Sequence, residues 1–230
     1  MQCVFNAVGP SDRGIIEVKL MPEVILIRHA EVKACYKPIC YGQLDIPLSD
    51  EGYVASLKMA QELVGRIKPS VIFHSGLSRT KALADAIAAR VIGLIPVVED
   101  RRLRERDYGE WQGKSWDQIH QIAPHLHELI QKPDTYRPPG GETTTGMQRR
   151  VVEWFERVSQ EFTNHRKATV LAISHSGPIA ALCGDRLDLP ADCWQPWMLK
   201  PLEGVRIIPS SKPYTDSVAK YTCLSISKCQ

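Results

Sequence analysis

The sequence predicts an α/β protein: a three-layer α/β/α sandwich with a mostly parallel central sheet. Three observations predict it. Short β-branched apolar runs recur, and each is followed by a segment whose apolar residues return at helical spacing. The runs end in polar loops, as strands buried on both faces do. The composition, 43% hydrophobic and 24% charged over 230 residues, is that of a globular chain able to bury one sizeable core. Alternation of strand and helix puts helices on both faces of the sheet, and ligands then gather at the carboxyl ends of the strands.

Residues 1–21 read as an N-terminal extension, and 22–230 as a single domain ending in an edge hairpin or tail. The first strand is Glu23-Val-Ile-Leu-Ile-Arg28, which follows Pro22 and ends in charge. A loop with Pro38, Gly42 and Pro47 comes next. Ser49, followed by Asp50 and Glu51, starts a helix with Val54, Leu57, Leu63, Val64 and Ile67 on its apolar face until Pro69. Val71-Ile-Phe73 is the second strand, and Leu83, Ile87 and Val91 line the next helix. Leu94–Val98 is a third strand. A long helix from about Thr143 to Phe162 carries Met147, Val151, Trp154, Phe155, Val158 and Phe162 on one stripe. Ala168–Ile173 then returns as a strand stopping at Ser174-His-Ser-Gly177, and Gly204–Ile208 and Val218–Ile226 read as added edge strands.

Several function classes drop out. The longest apolar runs fall far short of the ~20 residues of a membrane span, so no transmembrane helix is expected. Residues 1–20 carry Asp12, Arg13, Glu17 and Lys19 and do not read as a secretory signal. Seven irregularly spaced cysteines without a CxxC pair fit reduced thiols in a cytoplasm and no structural zinc. The net charge of +3 is spread along the chain, which leaves no polybasic tract for nucleic acid or anionic lipid. A small anionic substrate fits, and a homodimer stays open as the assembly.

Chemistry is expected at three strand ends, which read Arg28-His29-Ala30-Glu31, His74-Ser75-Gly76-Leu77-Ser78-Arg79-Thr80 and Ser174-His175-Ser176-Gly177. Any one of these could be a solvated strand end. Together they place arginine forks, which match phosphate oxygens, beside imidazoles. A neutral imidazole whose second nitrogen is held by a hydrogen bond can attack phosphorus, and nearby guanidinium groups both discourage its protonation and neutralise the phosphate. The leaving oxygen needs a proton, and the loop Arg102–Gly113 offers Glu105, Asp107 and Glu110, which the chemistry alone does not rank.

In this order the motifs resemble the histidine phosphatase superfamily, with its phosphoglycerate mutase-like fold. Leu26-Ile-Arg-His29-Ala30 is similar to its Arg-His-Gly signature, and Tyr41-Gly-Gln-Leu-Asp45-Ile-Pro-Leu48 to its following loop. Leu77-Ser-Arg79-Thr80 resembles its second arginine motif, and Arg102-Leu-Arg-Glu105 with Gly109-Glu-Trp-Gln-Gly113 its acid loop. Pro138-Pro-Gly-Gly-Glu142 and Ser174–Gly177 complete the series. The resemblance implies a phosphomonoester hydrolase without cofactor or metal, in which His29 becomes the phosphohistidine, Arg28, Arg79 and His175 hold the phosphoryl group, Glu105 donates the proton and Gln43 makes a secondary substrate contact. The alternatives are mutase-type phosphotransfer and a non-catalytic phospho-ligand binding protein.

Two departures stand out. Ala30 replaces the signature glycine, which would be costly at a positive φ, and Cys35 stands where mutase-type members have asparagine. With the longer mutase insertions also missing, phosphatase is favoured over mutase. The loops look most like the alpha-ribazole and broad-specificity phosphatase branch. His120, His125 and His127 suggest a metal cluster but fall on a surface helix opened by Ser115 and interrupted at Pro124, without a carboxylate or cysteine set at ligand spacing. Trp194 and Trp197 are candidates to cover the pocket.

Overall fold

The computed structural model describes residues 21–163, 165, 168–209 and 216–221. The proposed extension and the end of the last predicted strand, residues 222–226, therefore lie almost wholly outside the described residues. The central sheet is built from β1 (Glu23–Arg28), β2 (Val71–His74), β3 (Val97–Glu99), β4 (Thr169–Ser174), β5 (Gly204–Ile208) and β6 (Ser217–Tyr221), in the order β3-β2-β4-β1-β5-β6. The first four are mutually parallel, and β5 and β6 add on antiparallel beside β1.

The alternation of side chains across the pleat decides which helix each strand residue meets. Val24 and Leu26 of β1, with Val170 and Ala172 of β4, face α5 (Thr144–Glu161) and α6 (Ser176–Arg186). Ile25 and Ile27, with Leu171 and Ile173, face α1 (Asp50–Val64) and α2 (Ser78–Ala88). Continuous apolar runs such as VILI are therefore needed, because neither face is wet. Fully buried Leu83 and Ile87 anchor α2 on this side at roughly 1.5–3 kcal/mol each. A third, smaller cluster around Trp111, Ile119 and Leu129 sits under α3 (Trp116–Ile122) and α4 (Glu128–Gln131).

Ser49 caps α1 by accepting from the Gly52 N–H, and Thr143 caps α5 by accepting from the Gly146 N–H. Ser115 opens α3 through a reciprocal capping box with Gln118, so His120 sits on a surface helix as expected. Two readings shift. Val54 of α1 is 49% exposed, because the helix buries Ser56, Met59, Ala60 and Leu63 instead. The small residues let α1 lie close, and Gly52 packs on the Glu31 backbone. The third strand begins at Val97 rather than Leu94, since Gly93 turns the chain at φ +98° and Pro96 has no N–H to donate to a ladder. Among the described residues no helix is long and apolar enough to cross a membrane.

Candidate active site

β2, β4 and β1 are neighbours, and their register aligns Arg28 with Ser174 and His74 with Ile173. The residues that follow, His29, Ser75 and His175, are thereby set side by side at the carboxyl ends of three interior strands. The His29 N–H donates to the Ser174 carbonyl at 3.1 Å, and the two imidazole rings meet edge to face at 5.1 Å.

His29 is 2% exposed, and its Nδ1 lies 2.7 Å from the Ala30 carbonyl oxygen. A carbonyl only accepts, so Nδ1 carries the hydrogen and Nε2 keeps the lone pair. Burial, followed by the charge of Arg79, pushes the imidazole's pKa down to about 3, against which the Ala30 bond pulls upward. Ala30 is itself buried and is not among the positive-φ residues, Asp188 and Leu202, so the methyl group costs no backbone strain there.

His175 is completely buried. Its Nε2 lies 2.9 Å from the Ser75 hydroxyl, which lies 2.9 Å from the Thr80 hydroxyl, and Thr80 donates to the Leu77 carbonyl at 2.8 Å. The Thr80 hydrogen is thus committed, Ser75 donates to Thr80, and His175 Nε2–H donates to Ser75. Nδ1 is left without a partner among the described residues. Burial, then the charges of Arg79 and His29, hold this ring well below the ordinary imidazole range.

The guanidinium groups are fixed by carbonyl oxygens. Arg79, wholly buried at the start of α2, donates to Leu44 O at 2.7 Å and Gly42 O at 2.6 Å. Arg28 donates to Leu199 O at 2.6 Å. Both Nε atoms are buried and have no hydrogen-bond partner among the described residues, which leaves cationic donors beside the two imidazoles and suits the cup to an anion with several oxygens.

Of the three loop acids, Glu105 is the one brought to this cup. It is electrostatically coupled to Arg79, and its Oε1 accepts from the Arg106 N–H at 2.8 Å. Gly177 passes so close that a Cβ there would strike the Glu105 carboxylate. Asp107 instead accepts from the Gly109 N–H, and Glu110 is exposed. Gln43, expected as a substrate contact, donates its amide to the Glu105 carbonyl at 3.0 Å. Arg150 reaches the same carbonyl at 3.0 Å from α5 while forming a two-bond pair with Glu142, whose Oε1 also takes the Asp107 N–H.

Arg150, Ser75 and Thr80 were not legible as site residues. Arg150 left a faint signal, since it lies two turns from the Glu142 of a recognised motif. Cys35 is exposed in a single 3-10 turn, Ala34–Tyr36. His125 and His127 have ring centroids 6.0 Å apart, and among the described residues no group of three or more His, Cys, Asp or Glu is placed to hold a metal. A cavity of about 510 Å³ opens beside Glu105 and Gly177, and Trp194 rather than Trp197 lines it.

The chain is similar to several named phosphatases. The chain is 31% identical over 175 residues to glucosyl-3-phosphoglycerate phosphatase of Mycolicibacterium vanbaalenii, covering 74% of this chain and 76% of that one. It is 31% identical over 165 residues to phosphoserine phosphatase 1 of Hydrogenobacter thermophilus, covering 70% and 74%. The alpha-ribazole phosphatase of Shigella flexneri, only 18% identical, shares the fold with a TM-score of 0.73 over 86% of this chain and 95% of that one. The sequence pattern of the histidine phosphatase superfamily (branch 1) runs through residues 24–212, from the first strand past all the gathered side chains, and the chain belongs to that superfamily.

Proposed function

We propose that the protein hydrolyses small phosphate monoesters through a covalent phosphohistidine on His29. The observation that carries the reading is the fixed tautomer of His29, a buried neutral ring that commits Nδ1–H to Ala30 and keeps the Nε2 lone pair, packed against His175 and beside Arg79. In the first step Nε2 forms a bond to phosphorus, the P–O bond to the leaving group breaks, and Glu105 gives that oxygen its proton. In the second, water attacks the phosphorus, the P–N bond breaks, and the Glu105 carboxylate takes the water's proton. Arg28 and Arg79 bind the equatorial oxygens, where negative charge gathers, and the arriving phosphate's own charge draws a second proton onto the open Nδ1 of His175, which then donates to it. Gln43 acts by steadying the Glu105 loop.

Named phosphatases among the relatives support hydrolysis, and the two described above are named for monoesters that carry a carboxylate. The test is phosphate release from p-nitrophenyl phosphate, with rapid quench to trap the acid-labile phosphoenzyme. Wild type should show both, and His29→Ala neither. Isomerised phosphoglycerate in place of free phosphate would assign a mutase, and binding without turnover a non-catalytic role.

A further inference from the structure

The cavity beside Glu105 has a wall chemistry that the phosphoryl cup does not explain. Its body is apolar and aromatic, with Trp116, Leu126, Trp194 and Met198 among its lining. Arg106 also lines it. That side chain is only 5% exposed, its Nη1 is fully buried, and its guanidinium makes no hydrogen bond or ion pair to any described residue. What it does have is the Tyr108 ring, 5.9 Å away. A buried cationic donor without a partner is an incomplete arrangement, and an oriented carboxylate completes it.

Position decides what enters. Glu105, in the role proposed above, protonates the leaving oxygen, and the same Glu105 lines the cavity together with Gly177, so a carbon skeleton attached to that oxygen has this cavity to extend into. Apolar walls favour an apolar or aromatic skeleton. Asp192, exposed at the same cavity, already supplies one negative charge, which favours a carboxylate over a doubly charged second phosphate.

We infer that the cavity is the leaving-group site, and that it selects monoesters of apolar or aromatic alcohols bearing a carboxylate that pairs with Arg106. The inference rests on the hydrolase reading above. The experiment compares 4-(2-carboxyethyl)phenyl phosphate with 4-propylphenyl phosphate, whose leaving oxygens are alike and whose tails differ in charge. Wild type should favour the carboxylate in kcat/KM by about tenfold, the gain from one charge-assisted pair of ~1.4 kcal/mol. Arg106→Leu should bring the ratio to about one or invert it, and Arg106→Lys should restore part of it. Because each ratio is read within one protein, a partly unfolded variant does not distort it. A wild-type ratio near one, or a preference that survives Arg106→Leu, overturns the leaving-group assignment while leaving the hydrolase intact. No phosphate from either ester, with His29 unlabelled, overturns both.

Discussion

A histidine attacks phosphorus only while neutral, and a poor leaving oxygen departs only when a proton is supplied to it, so each residue acts through its position in the site. For Glu105 the consequence is a dependence on leaving group. Glu105→Gln should lower kcat by ~10²–10⁴ for alkyl phosphates and much less for p-nitrophenyl phosphate, whose phenolate departs without help; equal losses on both would remove Glu105 from the acid role. For His175 the tuning runs through Ser75 and Thr80. Ser75→Ala removes the acceptor that fixes the Nε2–H tautomer, and kcat should fall about tenfold while Ser75→Thr recovers part of it. The readout is the burst rate of phosphoenzyme formation together with its pH profile, since a merely structural role would leave the profile's shape unchanged. His29, Arg28, Arg79 and His175, which the fold brings together, were legible as candidates because polar residues at or just after strand ends interrupt an apolar pattern. It hid Ser75 and Thr80 because an ordinary loop serine gains its role only from a ring 100 positions away.

At the scale of the element, the acid loop is held from two sides, by Gln43 and by Arg150 of α5 in its pair with Glu142, and α6 begins hard against it at Gly177. Gly177→Ala should therefore displace the carboxylate and reduce kcat more than it reduces phosphate affinity, as measured by inhibition with inorganic phosphate. Matched losses would place the effect on the cup instead. Element boundaries were legible where caps and prolines set them: Ser49, Ser115 and Thr143 each start the helix they announce. The inward face of α1 was not, because close helix packing chose Ser56 and Ala60 over the larger Val54, a decision made by the neighbouring elements.

Across the whole molecule, the parallel core was legible from strand-helix alternation, since runs buried on both faces need no polar side. Folding around neutral imidazoles has a price in acid. Burial is the leading reason that His29, His74 and His175 all titrate below the ordinary 6.5. Between that value and about 3, where His29 titrates, the unfolded chain takes up protons that the native state refuses, so stability falls as pH drops through this window. Urea midpoints measured from pH 7 to pH 4 should decline steadily, and a flat profile would contradict these burial effects.

Strand β1 has a parallel partner on one flank and an antiparallel one on the other, and both of its faces are dry. The proposed nucleophile, His29, is consequently mounted at the end of the part of the sheet expected to open last, whereas the proposed proton donor, Glu105, rides on connecting chain. Deuterium uptake should register that division: amides of residues 25–28 exchanging only through global opening, those of 105–113 far sooner. Ester variety can then be met by the yielding half while phosphorus always encounters the same unmoving anvil.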